Sequence, residues 1–198
     1  MLPIALMDPP RLSEFREEVE DPGNEFLLIK PAPKGKEWKG REYWRRALPM
    51  MREVYGDVCQ YSCHFIPHDT GANSIEHFKP KDVYPAMAYS WSNFRIVCGR
   101  LNGRKGVKAV VDPFSIPSGL FEIEFPALLV KVSEDYDGPL LGLAEETIRV
   151  LGLNDESTCV KTRVLWYRNY INGDISFEVL KSMAPFLSFE MARQGLIV

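Results

Sequence analysis

Apolar positions recur at helical spacing over residues 41–54, where Tyr43, Trp44, Leu48, Met51 and Val54 share one face. Pro49 is expected to kink or divide that helix, and Gly56-Asp57 to end it. The next segment, "VCQYSCHFI", alternates enough for a strand or a knuckle, and "GANSIEHFKP" reads as a turn followed by a short strand bearing Ile75 and His77. "AMAYSWSNFRIVCGRLN" mixes aromatic and apolar residues in a pattern that predicts a helix entering around Ser92-Asn93. Two strands and a helix make a ββα unit. Further on, "LFEIEFPALLVKVSE" predicts a strand pair split at Pro126.

The last third reads as helices over 140–151, 160–170, 175–183 and 185–194, with Leu141, Ala144, Ile148 and Leu151 on one face of the first and Gly152 stopping it. The first forty residues are rich in Pro and Gly and predict an extended arm with one short helix over 12–19. The expected organisation is an N-terminal arm (1–40), a ββα core with its preceding helix (41–114), and a strand pair with a helical C-terminal lobe (115–198), in one compact α+β domain.

With 198 residues, 45% hydrophobic and 26% charged, the composition is that of an ordinary globular protein. No apolar run approaches the ~18 residues that cross a membrane. The opening "MLPIALMDPPRL" lacks a basic n-region and a small-residue cleavage site, so a cytoplasmic location is the expectation. A net charge of −3 excludes a generic basic nucleic-acid coat. The charge is uneven, however. Lys34, Lys36, Lys39, Arg41, Arg45, Arg46 and Arg52 form one basic concentration, and Lys79, Lys81, Arg95, Arg100, Arg104, Lys105 and Lys108 a second. Acids gather at 14–21 and 134–156.

Four cysteines do not suggest a disulfide framework in a chain of this size without a secretory leader. Cys59, Cys63 and Cys98 could bind zinc with His64 or His68, since Cys₃His sites exist. The spacing is wrong for a zinc ribbon: the first pair is C-x-x-x-C, and Leu101 stands where the second pair would close. Small buried hydrophobes are the competing reading of these thiols, and a scaffold without structural zinc is the expectation.

From residue 74 the order is E-H-x-x-P, then W-S-N-F, then C-x-x-x-N-x-x-K-G. This resembles the HNH endonuclease family, whose core is the ββα-metal finger. With "C-x-Y-x-C" upstream and "DPF" downstream, it resembles most the HNH nucleases of Septu (PtuB-like) and retron-associated anti-phage defence systems. The resemblance covers about residues 59–114. The nine-residue step from Asn93 to Asn102 also resembles the HNH domain of the RNA-guided CRISPR effector nuclease.

That resemblance implies a metal-dependent endonuclease acting on DNA, with a separate ATPase partner. Cleaving a phosphodiester requires an activated water and charge stabilisation at the phosphate, and Mg²⁺ (or Mn²⁺) supplies the latter with only one or two protein ligands. Glu76 and the amide oxygen of Asn102 suit that sparse ligand set. His77 becomes the general base, because its unperturbed pKa of ~6.5 leaves the neutral imidazole available. Asn93 matches the family's middle asparagine, which orients the histidine or ties down the loop. Arg95, Arg100, Arg104 and Lys105 are the expected phosphate contacts. Glu76 and His77, adjacent in a strand, point to opposite sides, and the resemblance places both at one cleft. The alternative is a non-catalytic or zinc-binding interaction module on a degenerate HNH scaffold. Such a module predicts damage at Glu76, His77 or Asn102, and all three residues are intact.

Overall fold

The computed structural model describes residues 1–69 and 73–198. Its N-terminal part is more helical than an extended arm. Helix α1 (Leu12–Phe15) runs through a π-helical stretch (Arg16–Glu20) directly into α2 (Asp21–Ile29). Pro22, in the first turn of α2, has no N–H to offer the preceding helical stretch, and the carbonyl of Glu18 four residues earlier accepts from Arg46 instead. Tertiary contacts carry this helix past its Pro and Gly. Phe15 meets Trp91 and Phe94 edge to face, and Gly23 lies so close to the Tyr89 ring that a Cβ there would sit 2.2 Å from it.

Residues 41–55 divide at Pro49 as expected. A 3-10 turn (Tyr43–Ala47) precedes α3 (Leu48–Tyr55), and Gly56 ends it with φ of 68°. The segment "VCQYSCHFI" is not a strand. It is a tight loop closed by one bridge, Val58 to Phe65, with Cys63 at positive φ. The turn expected at Gly71-Ala72 lies outside the described residues.

Strand β1 (Asn73–His77) pairs antiparallel with β2 (Phe94–Cys98), with Ile75 opposite Ile96, Glu76 opposite Arg95 and His77 opposite Phe94. Helix α4 (Gly99–Lys105) follows at once and packs against both strands. The two-strands-then-helix order is therefore present, but its parts are shifted. The helix expected from Ser92-Asn93 is a short 3-10 turn (Trp91–Asn93) followed by β2, and the α-helix starts only at Gly99. The reason is the period-2 pattern of Phe94, Arg95, Ile96 and Val97. Phe94 and Ile96 enter one core cluster, while Arg95 is neutralised on the other face. A buried arginine had disguised the strand.

Strands β3 (Phe121–Glu124) and β4 (Leu129–Val132) form the hairpin expected around Pro126. Helices α5 (Leu141–Leu151), α6 (Cys159–Ile171), α7 (Phe177–Met183) and α8 (Pro185–Arg193) complete the C-terminal lobe. Gly152 ends α5 in the left-handed conformation, as expected from sequence.

Two apolar clusters flank the β1–β2 pair. An aromatic-rich one joins Phe15, Trp38, Trp44, Met51, Tyr89 and Trp91 to Ile75, Phe94 and Ile96. A larger one joins Val97 and Leu101 to the C-terminal lobe. Leu101, in the place of a fourth cysteine, is thus a core residue. The architecture is α+β, and no helix among the described residues is long and apolar enough to cross a membrane.

Candidate functional site

Alternation along β1 sends Ile75 and His77 to the aromatic cluster and Glu76 to the other face. His77 stands edge-on to Trp44 at 4.8 Å and to Phe94 at 5.5 Å, centroid to centroid. Its Nε2 is 2.9 Å from the carbonyl oxygen of Ala88. A carbonyl only accepts, so Nε2 carries the proton and Nδ1 of the neutral ring holds the lone pair. Burial, aided by the charges of Lys81 and Lys105, lowers the imidazole pKa to about 4 against the opposing Ala88 hydrogen bond and the Asp82 charge.

Asn93 fastens the loop that supplies Ala88. Its Oδ1 accepts from the Lys79 N–H at 2.7 Å, and its Nδ2 donates to the carbonyls of Lys79 and Met87, each at 3.0 Å. Every hydrogen bond holds loop backbone, so Asn93 acts on His77 through the loop that presents Ala88 to it.

Glu76 is 2% exposed and both its oxygens are engaged. Lys105 Nζ lies 2.6 Å from Oε1, and the Tyr61 hydroxyl donates to Oε2 at 2.9 Å. Burial raises the Glu76 carboxyl, opposed by Lys105 and Tyr61. Lys105 also donates to the carbonyls of His77 and Phe78, tying α4 to the end of β1. Asn102 projects from the same helix, and its Nδ2 donates to Ser74 Oγ at 3.0 Å.

Glu76, His77 and Asn102 together line a cavity of about 190 Å³, the three expected groups brought to one place. His77 and Asn102 also line an adjoining cavity of about 560 Å³, with Lys81 and Arg45. A hard divalent cation fits this donor set by type. Glu76 offers a carboxylate, and the Asn102 Oδ1 accepts no hydrogen bond among the described residues. Lys105 is its competitor for Oε1. No group of three or more His, Cys, Asp or Glu side chains is arranged for a metal among the described residues.

The expected phosphate contacts are mostly engaged within the protein. Arg95 is buried, bonded to both oxygens of Asp112, and stacked on Phe114 at 3.7 Å. Arg104 is paired with Asp155 and covers Gly152, where a Cβ would collide with its guanidinium. Lys105 is held by Glu76. Arg100 is exposed, but it lines a different cavity.

That different cavity also gathers Cys59, Cys98, Cys159 and His64; Cys63 does not line it but is buried in the same core cluster, its N–H bonded to the Cys59 carbonyl at 2.8 Å. Burial raises the Cys59 thiol, but hydrogen bonds from Cys98 and Ser62 prevail and bring it down to about 6. Of the expected zinc set, then, the Cys59 and Cys98 thiols are hydrogen-bonded to each other, and Cys63 lies near Cys59 without lining the cavity. All four cysteines are free thiols.

Three contributors escaped the sequence reading. Tyr61 was visible only as the centre of "CQYSC", and Asp112 only as the acid of "DPF". Ala88 contributes a backbone carbonyl, for which no side-chain signal exists.

The chain is 34% identical over 133 residues to the Septu protein PtuB of Bacillus thuringiensis, a match covering 64% of this chain and 47% of that protein. The chain thus spans about half the length of the curated relative it matches. No family model matches it, and no solved structure does.

Proposed function

We propose that this protein is a metal-dependent HNH endonuclease that hydrolyses phosphodiester bonds in DNA as part of an anti-phage defence system. The observation that carries the reading is the shared cavity of Glu76, His77 and Asn102, with His77 neutral and its Nδ1 lone pair free of the Ala88 hydrogen bond. The similarity to a Septu protein supports the defence role. An ATPase partner belongs to the same proposal.

In this reading Nδ1 of His77 takes a proton from the attacking water, and Nε2 stays bonded to Ala88 so that the ring neither flips nor tilts. Asn93 fixes that partner by holding the loop. Mg²⁺ or Mn²⁺, held by Glu76 and the Asn102 amide oxygen, would supply charge stabilisation at the phosphate and leaving oxygen. Lys105 favours the ionised form of Glu76 and so opposes the rise in its pKa that burial imposes.

A second reading has its own observation. The Lys105 ammonium already neutralises the Glu76 carboxylate, as expected of a degenerate scaffold serving as a nucleic-acid or protein interaction module. One experiment separates the two: cleavage of plasmid and linear DNA with Mg²⁺ or Mn²⁺ by the wild type and by His77→Ala. The nuclease reading expects metal-dependent cutting that falls at least ~10²-fold in the variant. Equal cutting by both proteins removes His77 from the catalytic role, and no cutting by the wild type with its partner present leaves the module.

A further inference from the structure

The larger cavity holds two cations that the protein itself does not neutralise. Arg45 reaches it from the 3-10 turn before α3, and Lys81 from the loop after β1. Neither makes an ion pair among the described residues, whereas Arg52, Arg95, Arg104 and Lys105 around them are all paired with carboxylates. Lys81 has aromatic company instead, its ammonium lying 5.9 Å from the Trp38 ring centroid and 5.5 Å from that of Trp44. No Asp or Glu lines the cavity, in a chain whose acids outnumber its bases. Glu76, paired with Lys105, and Asp82 line only the smaller adjoining cavity, so the larger one presents two unpaired cations beside His77 and Asn102, a local positive feature that the net charge of −3 conceals.

We propose that this cavity is a nucleic-acid backbone groove, in which Arg45 and Lys81 each hold a phosphate beside the bond presented to His77. The position of that bond rests on the nuclease reading, but the binding itself does not. Trp44, the aromatic residue of the wall, is buried with 7% exposure and offers no free ring face for a base. Recognition is therefore of the phosphate chain, independent of sequence and strongly dependent on salt. Arg45 and Lys81 thereby take the phosphate-binding role that Arg95, Arg104 and Lys105, turned inward onto carboxylates, cannot fill.

The test is fluorescence anisotropy of a short labelled DNA duplex, with the full chain carrying His77→Ala and with chelator present so that nothing is cut. Dissociation constants are read from roughly 50 to 200 mM salt. Adding Arg45→Ala or Lys81→Ala is expected to reduce the slope of log K against log salt by about 0.9 each, and both together to weaken low-salt binding by at least ~10-fold. Lys161→Ala, at an exposed lysine on α6, is the control and leaves slope and affinity unchanged. Thermal melting of each variant confirms the fold. An unchanged slope in the double variant overturns the groove, as does a parent protein that binds no duplex at low salt. If wild type never cuts DNA yet the slopes change, the groove stands and the nuclease reading falls. If it cuts while the slopes are unchanged, only the groove falls.

Discussion

His77 donates its Nε2 proton to the backbone carbonyl of Ala88 across 2.9 Å, and this one hydrogen bond decides which ring nitrogen can do chemistry. The tautomer is dictated by an acceptor that has no proton to give. Burial between Trp44 and Phe94 then keeps the ring neutral.

The first prediction concerns that ring. A ¹⁵N-detected titration is expected to show the Nε2–H tautomer of His77 at neutral pH and a midpoint near 4. The proton acceptor is then undiminished from pH 7 down to pH 6, where an ordinary histidine (~6.5) would already be mostly charged. A midpoint at 6.5 or higher contradicts the burial and the bond to Ala88.

Asn93 is expected to matter to both stability and rate. Asn93→Ala removes three hydrogen bonds from the loop backbone and leaves the Lys79 and Met87 carbonyls and the Lys79 N–H without this partner. Urea denaturation should show a loss of about 2–3 kcal/mol. On the proposed nuclease reading, cleavage by the remaining folded protein should fall as Ala88 loses its fixed position. A variant that cuts at the wild-type rate would separate the loop from the histidine.

The Glu76–Lys105 pair offers a sharper stability test. Lys105 and Glu76 are 1% and 2% exposed. Lys105→Met is expected to cost roughly 3–5 kcal/mol, because it strands a buried carboxylate and leaves two carbonyls unbonded. Adding Glu76→Gln should recover a large part of that loss in denaturant titrations. A cost near zero for Lys105→Met alone would show that water reaches the carboxylate.

Acid sensitivity follows from His64 as well. Burial lowers its pKa to about 3, with Arg163 as the next contributor. The unfolded chain binds this proton at ~6.5 and the folded chain only near 3, so the stability is full above 6.5 and is lost as pH falls toward 3. His77 adds a loss in the same direction between about 6.5 and about 4. His64→Phe should flatten the acid limb of stability against pH by roughly 3–5 kcal/mol at most. An unaltered limb would place the acid sensitivity elsewhere.

Periodicity and short-range chemistry determined much of this protein. The divided helix at Pro49, the hairpin at Pro126, the αL stop at Gly152 and the C-terminal helices follow from local rules, because the constraint lies within a few residues. The order Glu76, His77, Asn93, Asn102 likewise named residues that lie together, three of them lining one cavity while Asn93 secures the loop beside them. Distant partners decided the rest. Phe94–Cys98 is a strand because Asp112 neutralises Arg95 from seventeen residues away, and no window over that segment contains the acid. The same logic assigned the cations: Arg95, Arg104 and Lys105 stand in a basic stretch, yet Asp112, Asp155 and Glu76 turn them inward. Arg45 and Lys81 remain outward because no carboxylate folds back onto them among the described residues. Charge is written in the sequence, but whether a charge faces a partner or a ligand is set by which elements pack beside it.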